Sequence, residues 1–187
     1  MVGEERMDKQ KFRYSLFGIF LLILLVALDQ FTKYLAILFL KDRDCLELIP
    51  GAFELRYLEN RGVAFGLFQG QRVGILLVGL LILLVLGYAY HKLPARKHFL
   101  PLHMLAIAMT AGAIGNMIDR FFRGFVVDFF YFSLIDFAIF NVADIYITVS
   151  AILLVLLVLF YYKDDDFSFL SRKKTQEKDT GKFHGDN

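Results

Sequence analysis

Four long apolar stretches constrain this chain more than any other feature. A helix that crosses a bilayer needs about 20 mostly apolar residues. The first stretch opens near Tyr14, runs through SLFGIFLLILLVAL to Asp29 and continues as QFTKYLAILFL. The second, residues 73–90, has no charge, and the third, residues 99–118, has only His103 as a titratable group. The fourth, residues 140–162, is interrupted only by Asp144. The 187 residues are 57% hydrophobic with a mean hydropathy of +0.54, against about 45–50% apolar in soluble domains. A soluble core cannot hide that excess, and a disordered chain would be poor in apolar residues. The expected fold class is all-α membrane, a four-transmembrane-helix bundle over residues 14–162. It is flanked by a short segment, 1–13, and a charged tail, 163–187, expected to be disordered.

Lysine and arginine predict the orientation. Arg6, Lys9, Lys11 and Arg13 precede the first stretch, and Lys92, Arg96 and Lys97 lie between the second and third. With the six in the tail, these make thirteen of the 21 basic residues. The link 119–139 has only Arg120 and Arg123. Both termini are therefore expected in the cytoplasm, with the other two links outside. The first stretch has no small-x-small cleavage site, so it is expected to stay as a span. In the first outer link, AFELRYLENRGVAFGLF follows Pro50-Gly51 and nearly alternates apolar and polar residues. That pattern predicts short strands with a turn at residues 59–62. The last outer link, FFRGFVVDFFYFSLIDFAIF, is apolar enough to rest on the interface or dip into the protein.

This topology brings polar groups to one depth. Asp29 and Lys33, spaced i, i+4, share a face near the outer end of the first span. Asn116, Asp119 and Arg120 fall at the outer end of the third, Asn141 and Asp144 at the outer start of the fourth, and Asp128 and Asp136 on the link between them. Ionisable residues within spans cost about 2.5–3.5 kcal/mol on insertion scales and usually have partners. Each group also has a plainer reading. Asp29–Lys33 reads equally well as a helix-end ion pair, Asp119–Arg120 as an interfacial charge cap and Asp136 as a loop acid. Ala108, Gly112 and Gly115 form a small-residue stripe that suits close helix packing with no catalysis at all.

The residue inventory narrows the chemistry. His91, His98, His103 and His184 all fall on or near the cytoplasmic side, which removes a Ser-His-Asp triad and a histidine-bearing zinc site from the outer face. Cys45 is the only cysteine, and the net charge of +2 does not point to nucleic acid. Carboxylates remain. Two of them held close share a proton, so that one acts as base on water while the other donates to a carbonyl oxygen. The same pair can instead carry protons through a transporter. A scaffold without catalysis is a third reading, and the residue types alone do not choose.

Five motifs stand in order along the chain: LDQFTK at 28–33, ENRGVAFG at 59–66, GAIGNMIDR at 112–120, GFVVDFF at 124–130 and FNVADIYI at 140–147. Together they resemble the lipoprotein signal peptidases, the type II signal peptidases of bacteria, over about residues 29–150. The resemblance implies an aspartyl protease of the inner membrane, with its site at the outer face. Such enzymes cleave the signal peptide from a prolipoprotein just before a diacylglyceryl-bearing cysteine. The family dyad maps to Asp128 in V-V-D-F and Asp144 in F-N-x-A-D, with Ala143 in the same motif. Asp119 becomes a supporting residue paired with Arg120 or Lys33. Asn116 and Asn141 map to positions that hold the dyad or the substrate. Asn60, Arg61 and Gly62 map to a small periplasmic β-strand cradle above an interfacial loop, and Asp29, Lys33 and Arg120 to residues that stabilise the site. The implied partners are lipidated prolipoproteins, membrane lipid and inhibitors of the globomycin type. No metal, cofactor or nucleic acid is implied, and the chain is expected to act as a monomer. The family often has proline before F-N-x-A-D, where this chain reads Phe137-Ala138-Ile139-Phe140.

Overall fold

The computed structural model describes residues 2–62 and 72–170. Helices α1 (Val2–Leu40), α2 (Arg72–Lys92), α3 (Leu100–Phe122) and α4 (Val142–Phe160) and strands β1 (Leu46–Ile49), β2 (Phe53–Asn60) and β3 (Val126–Tyr131) follow in the order α1-β1-β2-α2-α3-β3-α4. Four helical segments are long and apolar enough to cross a membrane: Phe12–Leu40 of α1, Arg72–Lys92 of α2, Lys97–Phe122, which is α3 with the 3-10 turn before it, and Val142–Phe160 of α4. The first is 29 residues, about 44 Å at 1.5 Å per residue, longer than the hydrocarbon core. Helix α1 also begins well before Tyr14. Residues 4–11, EERMDKQK, are good helix formers without glycine or proline, so nothing breaks the helix at the expected boundary.

Helix α3 is the hub and packs against α1, α2 and α4. Its small residues set the approach distances. A Cβ at Gly112 would lie 2.5 Å from the Ala143 carbonyl oxygen of α4, and one at Gly115 would run into the Asp29 carboxylate of α1. Helix α2 buries no residue fully and touches the bundle along one side.

The strands form one antiparallel sheet in the order β1-β2-β3. The turn between β1 and β2 is at Pro50–Ala52, not at residues 59–62. Gly51 takes the left-handed backbone (φ +68°) that the tight turn requires. Strand β2 instead runs on to Asn60, with Glu59 opposite Val127 and Asn60 opposite Val126. Strand β3 arises from the apolar link between α3 and α4, where VVDFFY supplies β-branched and aromatic residues. Val127 and Phe129 pack with Ala36 and Leu40, seating the sheet on the end of α1.

At the opposite end of the bundle Phe99, Leu102 and Tyr162 form a second buried cluster, against which Phe167 packs. Phe167 belongs to a 3-10 helix, Asp164–Leu170, so the first part of the charged tail is helical. Residues 171–187 lie outside the described residues.

Candidate active site

Asp144 owes its position to helix capping. Asn141 is the N-cap of α4, and its Oδ1 accepts the Asp144 N–H at 3.1 Å, while Asp144 Oδ2 accepts the Asn141 N–H at 3.1 Å. This reciprocal box satisfies two of the free donors at a helix start and places an acid where the helix dipole favours it. The other oxygen, Asp144 Oδ1, accepts from Asn116 Nδ2 at 2.8 Å.

Asp128 projects from β3 and is 1% exposed. Its Oδ1 accepts from Asn141 Nδ2 at 2.6 Å and its Oδ2 from Asn60 Nδ2 at 2.8 Å. Asn141 therefore touches both acids, one through its backbone and cap and the other through its side-chain amide. Burial, and then the negative charge of Asp144, push the Asp128 carboxyl up to about 7, against the pull of the two amide donors. Both acids line one groove of about 880 Å³. Asn60, Asn116 and Arg120 share its polar end. Leu58, residues 137–140 and Ile145, Thr148 and Val149 of α4 make the rest apolar.

Behind the groove lies a second, fully buried layer. Lys33 Nζ contacts Asp29 Oδ2 at 2.9 Å, Asp119 Oδ2 at 3.3 Å and Asn116 Oδ1 at 2.9 Å. Asp29 Oδ1 accepts the Ala143 N–H at 3.0 Å, and Asp119 Oδ2 accepts the Val127 N–H at 3.1 Å.

A family model described as signal peptidase (SPase) II matches residues 21–160. The chain belongs to the signal peptidase II family. It is 40% identical over 147 residues to the lipoprotein signal peptidases of Streptococcus pyogenes serotype M5 (strain Manfredo) and serotype M18 (strain MGAS8232). Those alignments cover 78% of this chain and 93% of each relative. Two solved structures described as a bacterial membrane enzyme, determined by the in meso method at 2.3 and 1.9 Å resolution, share its fold. The first gives a TM-score of 0.67 at 30% identity, covering 85% of this chain and 94% of that one. The second gives 0.66 at 31%, covering 78% and 94%. Four membrane-length helices with a three-stranded cradle are thus the signal peptidase II architecture, and the protein is a multi-pass membrane protease.

Against this signal peptidase II background, the expected site residues sort into two layers. Asn60, Asn116, Arg120, Asp128, Asn141 and Asp144 meet at the groove. Asp29, Lys33, Asp119 and Ala143 stand behind it, each 0% exposed. Arg61 lines the groove, but its guanidinium pairs with Glu59 at 3.0 Å and lies over the Phe125 ring. The Gly62 carbonyl accepts from Arg120 at 3.0 Å. Of the two expected partners of Asp119, Lys33 is the one in contact, at 3.3 Å, while Arg120 turns to Gly62. The partners of Asp119 are Lys33 and Arg123, the latter in a close ion pair one helical turn on. Sequence reasoning missed Arg123, although its i, i+4 spacing from Asp119 was visible. It also missed Gln30, which donates to Asp29 and to the Gly115 carbonyl, both at 3.1 Å. Asp136 is apart from the groove, exposed, and accepts from Tyr131 Oη at 2.6 Å. His103 is at the other end of the bundle, between the rings of Tyr14 and Tyr90. His184 lies outside the described residues.

Proposed function

We propose that the protein hydrolyses the peptide bond before the diacylglyceryl-modified cysteine of a prolipoprotein, at the outer face of the bacterial cytoplasmic membrane, with Asp128 and Asp144 activating water. The observation that carries this reading is that two carboxylates from different elements enter one groove and are both held by Asn141, Asp144 by its backbone N–H and Asp128 by its side-chain amide. All four of their oxygens accept from amide N–H groups. These donors favour ionisation, while the mutual repulsion of two ionised acids favours one proton retained by the pair, and burial with the charge of Asp144 pushes the Asp128 carboxyl up to about 7, which suits it to carry that proton.

The reaction follows from that state. Asp144 takes a proton from a water in the groove as the water oxygen attacks the scissile carbonyl carbon, and Asp128 gives its proton to the carbonyl oxygen. Collapse of the tetrahedral intermediate breaks the C–N bond. The leaving cysteine nitrogen takes the proton held by Asp144, and Asp128 recovers one from the intermediate. The products are a signal peptide with a free carboxylate and a lipoprotein with a free amino terminus. Arg120 is the groove cation available to hold substrate carbonyls, and the apolar flank along α4 suits acyl chains arriving from the bilayer.

A proton carrier needs titratable groups at successive depths. Here Asp29, Asp119 and Asp144 are the only acids within the four candidate spans, and they gather around one site. The test is cleavage of a diacylglyceryl-modified prolipoprotein by purified enzyme in lipid. Asp128→Asn and Asp144→Asn are each expected to abolish it while the protein still folds, and Asp136→Asn to retain most of it. Full activity in either dyad variant overturns the assignment. Globomycin is expected to compete for the same groove.

A further inference from the structure

We infer that Lys33 is a positioning residue for hydrolysis, the hub of a buried frame that fixes the two catalytic aspartates relative to each other. The inference rests on the dyad reading above and extends it to residues that never meet the substrate. Lys33, Asp29 and Asp119 are all 0% exposed and do not line the groove, so they act only through what they hold.

What they hold is specific. Ala143 immediately precedes Asp144, and its N–H donates to Asp29. Val127 immediately precedes Asp128, and its N–H donates to Asp119. One supporting carboxylate thus grips the backbone N–H of the residue before each catalytic acid. Lys33 ties the two grips together, with one ion pair to each carboxylate. Its third contact is to Asn116 Oδ1, which turns the amide so that Nδ2 faces Asp144. The ammonium thus makes one hydrogen bond and two ion pairs, all to buried groups.

The frame also settles its own charge. Lys33 and Arg123 balance Asp29 and Asp119, so Lys33 is committed to the frame and Arg120 is left to face the dyad. The geometry makes α1, an element without a catalytic group, the reference against which β3 and α4 are set. It packs on both.

Replacing Lys33 alone leaves the buried Asp29 carboxylate uncompensated, because Arg123 still pairs with Asp119, and risks unfolding. The test therefore uses charge-neutral pairs. Lys33→Met with Asp29→Ala removes the pair and the grip on Ala143. Lys33→Met with Asp29→Asn removes the charges and keeps an acceptor for that N–H. For folded enzyme and a diacylglyceryl-modified prolipoprotein, the alanine pair is expected to leave KM within about twofold and to lower kcat by about 10- to 100-fold, as sub-ångström to ångström misplacement does. Its pH–rate bell is expected to narrow, because carboxylates that move apart titrate less far apart. The asparagine pair restores the grip on Ala143 but not Lys33, so it is expected to recover part of kcat and to stay measurably below wild type, and full recovery overturns the hub role of Lys33. Equal losses in the two pairs, or an unchanged kcat and pH profile in the alanine pair, overturn the frame. If neither pair folds, Asp119→Ala, which removes the grip on Val127, tests the other arm with the same readouts, since its partner Arg123 reaches solvent, and an unchanged kcat and profile there overturns the frame. Asp128→Asn and Asp144→Asn are measured alongside. Cleavage surviving in either removes the dyad reading itself, whereas loss in both with an unaffected alanine pair removes only the frame.

Discussion

At the residue scale, Asn141 does two separable jobs. Its side-chain oxygen caps α4 and its side-chain nitrogen donates to Asp128. Serine caps a helix about as well as asparagine, whereas alanine costs about 0.5–2 kcal/mol. Asn141→Ser is therefore expected to stay within about 0.5 kcal/mol of wild-type stability, yet to lose most activity, because a hydroxyl at that position cannot span to Asp128. Asn141→Ala is expected to lose both, as read by thermal unfolding in detergent and by cleavage rate. The raised carboxyl of Asp128 makes a second prediction. A group whose folded pKa lies above its ordinary value of 3.8 binds its proton more tightly when folded. Its contribution to stability is complete below about pH 4 and is lost as pH rises through about 7. In the proposed mechanism Asp128 donates the same proton, so the alkaline limb of kcat/KM for the free enzyme is expected near pH 7. Removing the Asp144 charge by Asp144→Asn is expected to lower the Asp128 pKa, as followed by carboxyl carbon NMR.

At the scale of elements, the bundle depends on glycine where helices nearly touch. Gly112 admits the Ala143 carbonyl of α4, and a methyl there would sit at 2.5 Å from that oxygen. Gly87 on α2 has nothing within 4 Å of the same position. Gly112→Ala is therefore expected to cost about 1–3 kcal/mol by forcing α4 away, and to reduce cleavage because α4 carries Asp144. Gly87→Ala is expected to be neutral, or stabilising by up to about 1 kcal/mol through helix propensity. Thermal unfolding of the two variants separates packing from propensity. The stripe that holds Gly112 and Gly115 was legible from spacing, and α2 falls within two residues of its expected bounds because a span has a sharp compositional edge. Strand β3 was not legible. Val126, Val127, Asp128 and Phe129 are all buried, so the run lacks the alternation that marks a half-exposed strand. The turn went to the wrong glycine for a similar reason. Glu-Asn-Arg-Gly reads as a turn locally, but pairing with β3 keeps residues 59 and 60 extended. Motif order brought out the two groove acids and the asparagines that contact them. It did not bring out which supporting acid grips which backbone N–H, because those contacts join residues up to 114 positions apart.

At the scale of the whole molecule, the two ends of the bundle differ in chemistry. One end has the sheet, the groove and the buried frame. The other has His98, Tyr162 and Phe167, together with the link carrying Lys92, Arg96 and Lys97. Basic residues are retained on the cytoplasmic side of short loops, so the groove end is expected to face outward, where lipidated precursors emerge. The chain supplies its own probe for this arrangement. With Cys45 as the only cysteine, Cys45→Ser gives a cysteine-free background into which single reporters can be placed. Asp44 is exposed between α1 and β1, on the groove side, and Arg96 is exposed between α2 and α3. In intact bacterial protoplasts, a membrane-impermeant maleimide is expected to label Asp44→Cys directly and Arg96→Cys only after permeabilisation. Retained cleavage in both variants ensures that the labelled molecules are folded. The reverse pattern would put the dyad in the cytoplasm, where no translocated precursor reaches it, and would separate the charge asymmetry of the chain from the function proposed for its groove.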